Sequence, residues 1–118
     1  MSFVTTVILI FPGIEKEDER IREVNSFSFR NLQLDLRSVE SPNKEPFVAW
    51  YGGTKSVNGH IYIGSYNYFE VEKFLKHISG VGWENPEYVQ IFIRNENEWN
   101  YSLYGDAGKK LIYKAIEQ

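Results

Sequence analysis

His60 and His77 are the side chains of this chain best suited to acid–base work or metal binding near neutral pH. Neither has a second histidine or a carboxylate at a metal-ligand spacing such as H-x-x-x-H, and the chain has no cysteine, so a thiolate zinc site is excluded. His77 falls in the last turn of an expected helix, where an imidazole simply complements the helix dipole. His60 stands beside an expected hairpin turn. Both read as structural or solvent-facing, and no metal or cofactor is expected. Serines and acids are plentiful, but no G-x-S-x-G elbow frames a nucleophile, so no catalytic residue is assigned. Gly52-Gly53-Thr54-Lys55 lacks the residue order of a phosphate-binding loop and leads into a hairpin signal rather than a helix.

Two further patterns point outward. Ile91 to Asn95, IFIRN, resembles the short strand of RNA-recognition motifs on which a base stacks. That strand should open its domain and be followed by a longer basic and aromatic one; here it lies near the end, nothing after it matches, and its surroundings are acidic. Nucleic acid is therefore not an expected partner. The second pattern is chemical. Between Val81 and Asp106 the acids Glu84, Glu87, Glu96, Glu98 and Asp106 face a single base, Arg94, around the rings of Trp83, Tyr88 and Trp99. Acids around rigid aromatic anchors combine electrostatic steering with buried hot spots, a recipe for capturing a basic protein. In size and charge the chain is similar to bacterial immunity proteins that neutralise nuclease toxins, a general likeness with no alignable motif. The leading expectation is thus a non-enzymatic protein-binding module acting through Trp83, Glu84, Glu87, Tyr88, Glu96, Glu98 and Trp99. A small-ligand site or enzyme built on Trp50, Tyr51, Gly52, Gly53, His60, Gly64 and Tyr66 is the alternative. Homo-oligomerisation through exposed strands is a third.

The 118 residues are the size of one domain, 1–118, and carry a net charge of -3 at a pI near 5.4, which disfavours anionic membranes as well as nucleic acid. Aromatic residues make up 16%, more than a small core needs. The opening MSFVTTVILIF lacks the basic start of a signal peptide and is shorter than the roughly 20 residues of a membrane helix, so it reads as a buried strand and the location as cytoplasmic.

The elements that must carry these residues follow from periodicity. Val4 to Phe11 is apolar on both alternating sets, as in a central strand covered on both faces. Ile14, Ile21 and Val24 make a thin helical stripe. Phe27 to Val39 alternates with a change of phase, either through a bulge near Arg30 and Asn31 or with a strand starting only at Leu32. Phe47 to Tyr51 is a short apolar run. Asn58-Gly59 signals a hairpin whose register would set Lys55 against Tyr62 and Gly53 against Gly64. Asn67 with Glu70 matches a capping box and Tyr66 with Val71 its staple, opening a helix over 68–79 with Val71, Phe74, Leu75 and Ile78 inward and Gly80 as a left-handed stop. Tyr88 to Arg94 and Trp99 to Leu103 alternate as a second hairpin, and Asp106 caps a terminal helix using Leu111, Ile112, Ala115 and Ile116. The expected fold is α+β: a mostly antiparallel sheet of five or six strands with two or three helices on one face.

Overall fold

The computed structural model describes residues 4–39 and 59–114. At its centre is the β-branched N-terminal run, strand β1 (Val4–Pro12), which pairs antiparallel with β5 (Gly59–Asn67) on one side and β6 (Gln90–Asn95) on the other. Helix α1 (Glu17–Asn25), the two-residue strands β2 (Ser28–Phe29), β3 (Leu32–Gln33) and β4 (Arg37–Ser38), helix α2 (Val71–Ser79), a single 3₁₀ turn (Pro86–Tyr88), β7 (Ser102–Gly105) and β8 (Lys110–Tyr113) complete the described elements. The main sheet is mostly antiparallel with the order β4-β5-β1-β6-β7-β8, while β2 and β3 form a separate hairpin. Because β5 and β6 both oppose β1, the β5-α2-β6 connection steps over one strand, the split arrangement rather than a direct parallel pair.

Burial shows which expectations held. Val7, Leu9 and Phe11 of β1, with Ile91 and Ile93 of β6, are buried with Val24 of α1 and Phe74 and Ile78 of α2 in one cluster. The i, i+3, i+4 spacing did place Phe74 and Ile78 inward, with Val71 and Leu75 packed at the margin. The alternate set of β1, Val4, Thr6, Ile8 and Ile10, is only half-buried, so the strand is covered on one face and not on both.

Several boundaries moved for local reasons. Asn67 stays in the β5 ladder opposite Val4 and cannot cap; Tyr68 turns the chain at φ 55, and Glu70 precedes α2 without a side-chain cap. Tyr66 stacks on Phe69 instead of stapling Val71, and Gly80 ends the helix in a right-handed conformation. Arg30 and Asn31, at φ 47 and 66, are the tight turn between β2 and β3, which explains the change of phase without a bulge. Asp106 has φ 51, incompatible with the extended backbone of an N-cap, and the residues after it form β8 instead of a helix. Phe47 to Tyr51, the first strand of the Asn58-Gly59 hairpin, and Ala115 and Ile116 lie outside the described residues. Within them, Tyr62 pairs with Leu9 on one edge and Ser38 on the other, which leaves no edge for the expected register to Lys55.

Candidate functional site

The expected acidic and aromatic set divides by position. β6 runs from Gln90 to Asn95, so residues before it and after it sit at opposite ends of the sheet, about 17 Å apart along the strand. Glu84, Glu87 and Tyr88 lie at one end, Glu96, Glu98 and Trp99 at the other. Trp83 belongs to neither surface. It is buried against Phe11, ring centroids 5.3 Å apart, and its Nε1–H donates to the Ile78 carbonyl at 2.9 Å. That makes it a core residue anchoring the loop after α2.

The two ends differ in what their carboxylates do. Glu96 Oε1 accepts from the Val4 N–H at 2.9 Å, and Glu98 Oε1 accepts from the Asn95 N–H at 3.0 Å, so both acids close the turn after β6. Trp99 stands 72% exposed beside them. By contrast, the carboxylates of Glu84 and Glu87 have no hydrogen bond or ion pair among the described residues, and both side chains are exposed. The turn Pro86–Tyr88 carries them beside Tyr88, itself 64% exposed.

Across from Tyr88 lies the end of β1. Pro12 ends that strand by removing a backbone donor, and the turn that follows throws Ile14 outward, 63% exposed, instead of onto α1. Ile10, Phe11, Pro12, Ile14, Gly59 and Tyr88 line a cleft of about 350 Å³. The periodicity places Ile14 in the stripe of α1, but the helix starts only at Glu17, and the break at Pro12-Gly13 is the sequence signal that Ile14 sits apart.

A buried ionic clamp holds this end in shape. Glu15 Oε1 accepts from Arg20 Nε at 3.1 Å and from the Glu84 N–H at 3.1 Å, and its Oε2 accepts from the Asn85 N–H at 2.7 Å. Arg20 also donates to Glu23 at 2.8 Å, and Glu23 in turn accepts from the Gly82 N–H at 2.9 Å. Burial alone would raise the Glu15 carboxyl, but the two backbone donors and Arg20 outweigh it and hold the group below its ordinary value. The start of α1 is thereby tied to the loop that presents Glu84, Glu87 and Tyr88.

The alternative glycine site is less coherent. Trp50, Tyr51, Gly52 and Gly53 lie outside the described residues. At Gly64 the space for a side chain is filled by the Tyr66 ring, whose hydroxyl accepts from the Asp35 N–H at 3.0 Å and which packs on Phe29 and Phe69. His60 packs on Phe11 with Nδ1 3.3 Å from Glu17 Oε2, the oxygen that also accepts from the Tyr62 hydroxyl at 2.7 Å. His77 Nε2–H donates to the Glu23 carbonyl at 2.8 Å. No three His, Cys, Asp or Glu side chains come together as a metal site would need, and no helix is long and apolar enough to cross a membrane, among the described residues. Compared with known families, curated proteins and solved structures, the chain gives no match.

Proposed function

We propose that the protein is a non-enzymatic binding module that captures a basic protein at the cleft between Ile14 and Tyr88. Val24 of α1 and Phe74 and Ile78 of α2 pack in the core cluster with Val7, Leu9 and Phe11 of β1, and among the described residues the cleft opens at the end of that strand. The observation that carries the reading is the meeting of two exposed anchors, Ile14 and Tyr88, with two unpaired carboxylates, Glu84 and Glu87, at the mouth of an apolar cleft. Unpaired acids keep their full charge for steering, and a ring over an apolar floor gives an arriving cationic side chain both stacking and desolvation. An immunity-type or inhibitory role toward a cationic enzyme fits this chemistry. Trp99 belongs to the far end and takes no part.

Capture from a lysate of the native host, identification by mass spectrometry, and association rates of the purified pair across salt concentrations test the reading. A basic partner is expected, associating more slowly as salt rises, with Tyr88→Ala weakening binding by about tenfold or more. An association rate indifferent to salt would count decisively against it.

A further inference from the structure

The sheet face opposite the helices carries one continuous row of cross-strand partners, Arg37↔Ile63↔Ile8↔Phe92↔Leu103↔Tyr113, spanning all six strands. Five of the six are apolar or aromatic, and none is fully buried; Ile63 is 44% and Tyr113 47% exposed. Ile61 and Ile10, themselves paired, extend the apolar surface on one side of the row, while Thr6, Ser65 and Arg94 border it on the other. Outer strands of such a sheet lie about 24 Å apart, and the row with its Ile61 and Ile10 extension covers about 7–10 Å along them. An apolar band that crosses the whole sheet and is rimmed by polar residues, instead of apolar side chains scattered singly, is the form an interaction site takes.

We infer that this face pairs with the same face of a second copy. The row is self-complementary about a two-fold axis running along the strands between β1 and β6. That rotation lays β4 of one copy over β8 of the other, β5 over β7, and β1 over β6. Ile8 then meets Phe92, Ile63 meets Leu103, Ile10 meets Gln90, and Arg37, whose guanidinium is ion-paired with Asp35 at 2.9 Å, meets the Tyr113 ring at the other end of the row, a contact made twice. Arg94 falls over Thr6 and not over its own image, so no like charges meet. Packing two antiparallel sheets this way, about 10 Å apart and slightly rotated, is an ordinary sandwich geometry. An isologous contact of this kind closes on itself and stops at a dimer. The β8 edge offers a poorer route, because Lys109, Lys110 and Lys114 flank it with like charges and Ile112 bulges its ladder. This inference does not depend on the function of the cleft: the row itself shares no residue with it, and only Ile10, at the margin of the row, also lines the cleft.

Sedimentation velocity of the full chain from about 1 to about 300 µM, a range that brackets micromolar association, provides the test. The wild type is expected to sediment as a concentration-dependent dimer. Ile63→Lys and Leu103→Asp, each confirmed folded by circular dichroism, should each raise the dissociation constant at least tenfold. Combining Ile63→Lys with Leu103→Asp in one chain should recover most of the loss, because the two positions face each other across the axis, and Tyr88→Ala should leave dimerisation unchanged. A monomer at every concentration, as would result if another protein or another part of this chain covers the face, overturns the inference. So does a dimer indifferent to both single changes, or one that the combined change fails to restore.

Discussion

A carboxylate with essentially no exposed surface survives in a protein only when its neighbours replace the water it has lost, and Glu15 has Arg20 and the N–H groups of Glu84 and Asn85 to do so. All of its recorded partners are donors, so only the ionised form is satisfied. The folded carboxyl therefore titrates below its ordinary value of 4.5, and its contribution to stability is complete above that pH and lost as pH falls through the lower folded value. Glu15→Gln would turn one oxygen into an amide facing donors and leave Arg20 with Glu23 at 2.8 Å and the more distant Glu19 at 3.9 Å. We expect a loss of about 2–4 kcal/mol at neutral pH. Urea unfolding followed from pH 3 to 7 should also show a shallower acid-side decline in the variant than in the wild type. None of this was legible in the sequence, where Glu15 is one acid in a charged run and nothing local says that Asn85 will reach it. Trp83 was misread for the same reason. Its type suits an interface, and only the tertiary contact with Phe11 makes it core.

At the scale of elements, what the chain stated through local periodicity was readable and what it stated through backbone conformation was not. The alternation of Val89, Ile91 and Ile93, all buried, and the helical spacing of Phe74 and Ile78 each depend on one neighbouring surface, and both were found where expected. The end of the chain is the contrary case. Leu111 and Ile112 fit a helical edge, but Asp106, Ala107 and Gly108 take φ of 51, 54 and 85 and turn the chain back on β7, leaving those side chains half exposed on β8. The two glycines of this hairpin should respond differently to alanine. A Cβ at Gly108 would sit 3.2 Å from Leu75 Cδ2 and 3.3 Å from Ile91 Cδ1, in the core and at positive φ, so Gly108→Ala should cost about 2 kcal/mol. A Cβ at Gly105 would meet only the exposed end of Ile112, 2.6 Å from Cδ1, and a rotamer change relieves it. Gly105→Ala should cost less than about 0.5 kcal/mol. Thermal melts of the two variants side by side measure the contrast, and equal losses would mean that the turn does not have this backbone.

For the molecule as a whole, the sequence located a surplus of negative charge but not its division, because a strand converts adjacency in sequence into separation in space. Glu84 and Glu87 precede β6 and Glu96 and Glu98 follow it, so a set that is contiguous in the chain becomes two sets at opposite ends of the sheet. The ends have also been put to different uses. The far pair accepts backbone hydrogen bonds from Val4 and Asn95 that hold the turn and the start of β1, whereas the near pair is unpaired beside the cleft. Neutralising each pair should therefore produce opposite profiles, although each removes the same two charges from a chain whose net charge is only -3. Glu84→Gln with Glu87→Gln should leave stability within about 0.5 kcal/mol, as exposed and unpaired acids do. It should also slow association with the captured partner several-fold at low salt and flatten the salt dependence. Glu96→Gln with Glu98→Gln should lower stability by about 1–2 kcal/mol through the weakened turn, with association changed only by the small long-range effect of net charge. If the far pair slowed association as much as the near pair, steering would belong to the total charge of the molecule and the cleft would lose its claim to the partner. Rates that separate in the expected direction would instead tie capture to the end of the sheet where Ile14 and Tyr88 stand.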